Sequence, residues 1–195
     1  MNISKIKKKK LAIIDADVFV FQSAYSNRDQ MNMLGVMAAK SKLDSLVQAV
    51  LEKVDCDYYL GFYGQPGTKN YRYDIATLKP YKDSRNKREE PWIDYFKPIL
   101  KNYMGERWGF IPVSDIEADD AVSIAYHQYK DTHDIILVFE DKDLKQIAYY
   151  SNNDILRYNP NRKHGANKIE TISTLEGMKS FYLQTLQGEL SPLCI

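Results

Sequence analysis

Cysteine and histidine are scarce in this 195-residue chain, with two of the former, Cys56 and Cys194, and three of the latter. Two distant thiols cannot form a disulfide framework or a four-ligand zinc site, so a reduced, cytoplasmic setting is expected. An excess of charge of one sign is also lacking. The 27 Lys and Arg nearly cancel the 26 Asp and Glu, so any preference for nucleic acid or membrane has to come from local clustering. Long apolar runs are absent too: after "KIKKKK" only "LAII" precedes Asp15, far short of a signal peptide's core or a membrane span. No internal repeat and no low-complexity region beyond the lysine run is found. What is present is a 44% hydrophobic content, which suits one globular domain with a real core, or one domain plus an appendage.

Three short runs read as strands: "LAII" (Leu11 to Ile14), "DYYLGF" (Asp57 to Phe62) and "IILVF" (Ile135 to Phe139). None alternates cleanly, as expected of strands buried on both faces of a parallel sheet. Between the first two, Leu43, Leu46, Val47, Val50, Leu51 and Val54 recur at helical spacing, which predicts a βαβ unit. "PWIDYFKPILKNYM" (Pro91 to Met104) predicts a helix opened by its first proline and kinked at Pro98. "WGFIPV" predicts a further short strand. In "SDIEADDAVSIAYH" the residues Ala118, Ala121, Val122 and Ala125 define an amphipathic helix whose start carries Glu117, Asp119 and Asp120. "YSNNDILRYNPNRKHGANK" reads as polar loop and "TLEGMKSFYLQTLQ" as a final helix. The expected fold class is α/β, a mainly parallel central sheet flanked by helices.

Ligands of an open parallel sheet bind beyond the carboxyl ends of its strands. "LAII" runs into Asp15 and Asp17, and "IILVF" runs into Glu140, Asp141 and Asp143. If the helix starting near Glu117 opens on the same edge, three segments deliver carboxylates to one crevice. Two like charges about 4 Å apart repel by roughly 4 kcal/mol at an effective dielectric near 20, so such a cluster calls for protons or cations. Oxygen donors without Cys or His suit hard ions such as Mg²⁺ or Mn²⁺ rather than zinc. The plainer readings are that acids in a first helical turn answer the helix dipole, that Asp after a strand is solvated loop, and that "EDKDLKQ" is a charged turn before a helix. All three would then have to place acids at one edge by coincidence.

A basic stretch, Tyr71 to Arg88, carries Arg72, Lys79, Lys82 and Arg85 with Tyr73 and Tyr81 interleaved. Cations that neutralise phosphates beside rings that stack on bases suit single-stranded nucleic acid; a solvated surface loop is the alternative. Cys56 reads as a small core residue, His127 as structural, and residues 1–10 as a basic tail.

"LAIIDADVFVFQSAY", "NYRYDIATLKPYKDSR", "IEADDAVSIA" and "VFEDKDLKQI" occur in the order and spacing that resemble the 5′→3′ exonuclease and flap endonuclease family, with a PIN-like nuclease domain, and in particular the exonucleases of bacteriophages. The resemblance covers Leu11 to Gln187, giving a basic tail over 1–10, a nuclease domain over 11–187 and a divergent tail over 188–195. It implies a metal-dependent 5′→3′ exonuclease or structure-specific endonuclease acting on DNA with 5′ ends or flaps, in the cytoplasm (the host's, if a phage encodes it) and away from membranes. It implies two Mg²⁺ or Mn²⁺ ions held by Asp15, Glu117, Asp119, Asp120, Asp141 and Asp143, with Asp17 a variable neighbour. Lys82 and Arg85 match basic residues beside the scissile phosphate, Tyr81 matches an aromatic next to them, and Lys79 and Arg72 extend the nucleic-acid contact.

Two departures stand out. After its second strand the family usually has an aspartate, where this chain has Tyr63 and Gly64. After Gly188 the family continues with two aspartates and a helix-hairpin-helix, where this chain reads "ELSPLCI"; Glu189 can stand in for the first aspartate, and Pro192 occupies the place of the second. An interrupted reading frame, or a companion chain supplying the missing part, is the expectation this raises. Two other readings are a catalytically impaired nucleic-acid-binding fragment and, from "IIDADVF", a haloacid-dehalogenase-like phosphatase.

Overall fold

The computed structural model describes residues 8–65, 67, 71, 74, 90–161 and 168–187. The strands are β1 (Lys9–Asp15), β2 (Tyr58–Gly64), β3 (Ile111–Val113), β4 (His133–Val138), β5 (Ile155–Tyr158) and β6 (Ile169–Ile172). The helices are α1 (Asp17–Tyr25), α2 (Met33–Val54), α3 (Pro91–Trp108), α4 (Ala118–Tyr129), α5 (Gln146–Ser151) and α6 (Thr174–Gln187), with a 3₁₀ turn at Lys142–Lys145. The strand order is β3-β2-β1-β4-β5-β6. The β1–β4, β2–β3 and β4–β5 pairs are parallel and β5–β6 is antiparallel. The fold is α/β on a mainly parallel sheet, as expected.

The chain divides into two compact units, one of residues 1–14, 50–60 and 122–195, the other of residues 15–49 and 61–121. In the first, Leu11 to Ile14 and Ile135 to Val138 are buried, because neighbouring parallel strands covered on both faces have no solvated side. Their register runs from Lys9 opposite His133 to Ile14 opposite Val138. β1 begins before the apolar run, so Lys9 and Lys10 belong to the sheet rather than to the expected basic tail. Lys10 donates its backbone N–H to Asp57 at 2.8 Å and its ammonium pairs with Asp55 at 2.9 Å. β5 falls in a segment that the sequence reads as loop, and β6 in one that it leaves unassigned; each has four residues, too few for a period to register, and β6 is the antiparallel edge strand. α6 packs on α5 through Gly177, where an added Cβ would stand 2.7 Å from the Lys145 carbonyl oxygen and the Tyr149 nitrogen.

In the second unit α3 runs on past the expected Met104, through Pro98, to Trp108, where Gly109 at φ 64° ends it in the left-handed conformation that glycine adopts at little cost. α3 buries Phe96, Leu100, Lys101 and Met104 and packs on α1. The α1 helix was not anticipated. Phe19, Val20, Ser23 and Ala24 are buried along it while Phe21 and Tyr25 are exposed, and Phe21, Tyr25 and Trp92 form an aromatic group with centroids 5.6 to 6.1 Å apart. β2 departs from the expectation of two buried faces, since Tyr58 is 56% exposed. No helix among the described residues is long and apolar enough to cross a membrane.

Candidate metal and nucleic-acid site

The expected acids fall into three groups, each organised by its own backbone. Asp15 is the last residue of β1 and Asp17 the first of α1. The chain turns between them at Ala16, whose N–H donates to the Phe62 carbonyl at 2.9 Å. The Asp17 N–H donates to Asp15 Oδ1 at 3.2 Å, so the first acid caps the turn that positions the second.

A lysine that sequence reasoning did not single out completes this corner. Lys101 of α3 is 3% exposed. Its Nζ lies 2.7 Å from Asp17 Oδ1 and donates to the Gly64 carbonyl at 2.6 Å. Asp17 Oδ1 is buried, and its contact with the ammonium is charge pairing rather than an aligned hydrogen bond. Burial pushes the Lys101 ammonium below its ordinary range, and the Asp17 and Asp15 carboxylates pull it back up. No periodic pattern exposes such a residue: a lysine next to the apolar stripe of a helix reads as solvated unless its partner is known.

The second group opens α4. Asp120 is 1% exposed, and its Oδ2 accepts the Glu117 N–H at 3.1 Å while Asp119 Oδ1 accepts the Asp120 N–H at 2.8 Å. An acid three residues into a helix reaching back to the residue before it is half of a capping box. The helix-cap explanation therefore accounts for Asp120 structurally, and leaves Glu117 and Asp119, both half-buried, beyond what one cap requires.

The third group follows β4. Asp141 is exposed and heads the 3₁₀ turn, its Oδ1 accepting the Asp143 N–H at 3.0 Å. Asp143 in turn accepts from the Gln184 side-chain amide, whose oxygen accepts from the Gln146 amide. Gln146 and Gln184 are both buried, so α6 fixes Asp143 through a chain of amides. Arg157 of β5, 7% exposed, holds the backbone just ahead of these acids. Its guanidinium donates to the Phe139 carbonyl at 3.3 Å, the Glu140 carbonyl at 3.0 Å and Glu170 at 2.7 Å. Arg157 and Gln184 were missed in the sequence because each lies in a segment read only for its element.

Oxygen donors of this kind suit a hard divalent cation in their chemistry. Among the described residues, no group of three or more His, Cys, Asp or Glu is gathered closely enough to hold an ion. The basic residues Arg72, Lys79, Lys82 and Arg85 with the aromatic Tyr81, and the tail from Gly188 with Glu189, lie outside the described residues. Cys56 is half-buried rather than fully in the core. His127 lies in the last turn of α4 with its Nε2 buried and unpartnered, a packing position as expected, and burial lowers its pKa.

Known proteins share the family and the fold of this chain. A curated 5′-3′ exonuclease of Mycoplasmopsis pulmonis is 27% identical over 154 residues, which are 75% of this chain and 48% of that protein. The chain thus spans about half the length of the curated relative it matches. Among solved structures, the D15 protein of bacteriophage T5 co-crystallised with metal ions superposes with a TM-score of 0.58 at 17% identity, covering 77% of this chain and 54% of the other. The bacteriophage T5 D15 flap endonuclease in a pseudo-enzyme-product complex with DNA and metal ions gives 0.56 at 16% identity, covering 77% and 55%. The fold is shared with both. The model of the 5′-3′ exonuclease N-terminal resolvase-like domain matches residues 10–177, and the chain belongs to that family.

Proposed function

We propose that this chain is the nuclease domain, over residues 11–187, of a metal-dependent 5′→3′ exonuclease or flap endonuclease that hydrolyses DNA phosphodiester bonds at 5′ ends or flaps. The observation that carries the reading is the parallel register of β1 and β4, which ends with Ile14 opposite Val138. In both strands the chain then runs within three residues into acids, Asp15 after the first and Glu140 and Asp141 after the second. The family membership and the curated 5′-3′ exonuclease relative support it, and the T5 flap endonuclease of like fold was crystallised with DNA and metal ions. The same membership favours a nuclease over a haloacid-dehalogenase-like phosphatase.

Asp15, Glu117, Asp119, Asp120, Asp141 and Asp143 would hold two Mg²⁺ or Mn²⁺ ions, directly or through water. When bound, such ions supply Lewis-acid polarisation of the phosphate and a more nucleophilic water. Lys82 and Arg85 would steady the phosphoryl oxygens as charge shifts during displacement, and Tyr81, Lys79 and Arg72 would stack on bases and neutralise flanking phosphates. Selection would follow DNA structure rather than base sequence, since cations and rings of this kind read backbone and stacking.

The test is cleavage of a 5′-labelled flap duplex by the full chain with Mg²⁺ or Mn²⁺, with and without chelator. Cutting should require the metal and fall at least a hundredfold in Asp15→Asn and in Asp120→Asn, a loss on the scale expected when charge stabilisation is removed. Metal-independent cutting, or both folded variants retaining wild-type turnover, would refute it. A second reading, a nucleic-acid binder without catalysis, is favoured by Tyr63 and Gly64 standing where an acid is usual for the family. It predicts gel shifts with and without chelator and cutting in neither.

A further inference from the structure

The end of β2 in this chain carries a buried cation. Lys101 is 3% exposed and an ammonium is strongly hydrated in water, so such burial is tolerated only with charge-matched or hydrogen-bonded partners. It has two, the Asp17 carboxylate at 2.7 Å and the Gly64 carbonyl at 2.6 Å. Asp17 is engaged through both oxygens, since Oδ2 lies 3.5 Å from the Gly64 nitrogen. The turn-capping hydrogen bond from the Asp17 backbone N–H to Asp15 leaves the Asp17 side chain directed to the lysine, while Asp15 closes the turn. Two carboxylates two residues apart thus have different surroundings: Asp17 has a counter-charge at contact distance, and Asp15 accepts the Asp17 backbone N–H.

We propose that Lys101 is a built-in counter-cation that withdraws Asp17 from metal coordination and sets the position of the β1 and β2 ends around Asp15. The inference rests on the reading of Asp15 and its companions as metal ligands. It gives Gly64 a role as well, because the lysine binds a backbone carbonyl at a place where the family usually presents an acid. A Cβ added at Gly64 would lie 3.6 Å from both Asp17 Oδ2 and Lys101 Nζ, in ordinary contact with each, so a side chain at this position would leave the backbone directly beside the ion pair. Lys101 is a positioning residue, and its effect is exerted on how tightly and by which carboxylates a divalent ion is held.

The experiment measures Mn²⁺ affinity of the full chain without DNA, from the free-ion electron paramagnetic resonance signal, with folding followed by circular dichroism. Lys101→Met should tighten Mn²⁺ binding by about tenfold, because it removes a nearby positive charge and releases a carboxylate. Lys101→Arg, which keeps the charge, should stay nearer wild type. Asp17→Asn/Lys101→Met, in which the pair is replaced by uncharged groups and no charge is left buried alone, should bind within about twofold of wild type. A folded Lys101→Met with wild-type affinity overturns the proposal. So does a loss of tenfold or more in the double variant, since Asp17 would then be a ligand; this comparison decides the matter if Lys101→Met does not fold. If wild type binds no Mn²⁺, the metal-nuclease reading fails separately: binding gained in Lys101→Met still upholds the lysine's role, and its absence from every variant overturns both.

Discussion

The Asp120 carboxylate accepts the Glu117 backbone N–H at 3.1 Å while only 1% exposed, so one side chain both closes the start of α4 and is a candidate ligand. The two roles separate by substitution. Asp120→Ala loses the cap and should cost about 1 kcal/mol, read as a lower urea midpoint. Asp120→Asn keeps an acceptor oxygen in place and should lose much less stability. Its loss of cleavage then reports the charge alone.

Arg157→Met should be the more damaging change in the unit that holds Asp141. It removes the donors to the Phe139 and Glu140 carbonyls and leaves Glu170 without its partner, at a cost of about 3 kcal/mol. Glu170→Gln should cost under about 1 kcal/mol, because Glu170 is 39% exposed and its side of the ion pair is screened. Thermal or urea unfolding of the two variants checks the ordering. Equal losses would locate the stabilisation in the ion pair rather than in the hold on the backbone.

Gly177→Ala reverses the usual helix rule. Alanine in place of glycine in a helix normally gains about 1 kcal/mol, but here the new Cβ would stand 2.7 Å from backbone atoms of Lys145 and Tyr149. Overpacking against main chain costs about 1–3 kcal/mol, so α5 and α6 must separate and net stability should fall. A higher unfolding midpoint for the variant would show that the two helices move apart freely.

Acid should weaken the fold through His127. Burial holds its pKa below the usual 6.5, and Lys130 adds to the effect. The unfolded chain therefore takes up the proton first. His127 contributes stability that is present above the unfolded value and lost as pH falls towards the folded one. Between about pH 7.5 and 5.5 the wild-type melting temperature should fall more steeply than that of His127→Phe, and parallel slopes would place the acid sensitivity elsewhere.

Much of the framework was legible from local pattern. Leu11 to Ile14 and Ile135 to Val138 are apolar without alternation, and both form buried parallel strands. The "TLEGMKSFYLQTLQ" segment is helical over its whole length. The "ILRY" strand escaped notice because it is four residues long and holds an arginine, which signals solvent until Phe139, Glu140 and Glu170 are seen around it. α1 escaped because "DVFVFQSAY" mixes β-branched and aromatic residues in a way that local preference does not assign to a helix; packing against α3 decides it.

The sequence alone determined the chemistry on offer: oxygen donors placed directly after apolar strands and at a helix start, too little Cys and His for soft metals, and a basic aromatic stretch between them. Adjacent residues carry that information, because strand and helix periods and capping preferences act over a few positions. Only the tertiary structure decided which charges are already answered. Lys101 meets Asp17 across 84 positions, and Gln184 reaches Asp143 across 41. A buried ion pair or amide chain gains its strength when packed elements exclude water from around it, and no stretch of sequence carries that exclusion by itself.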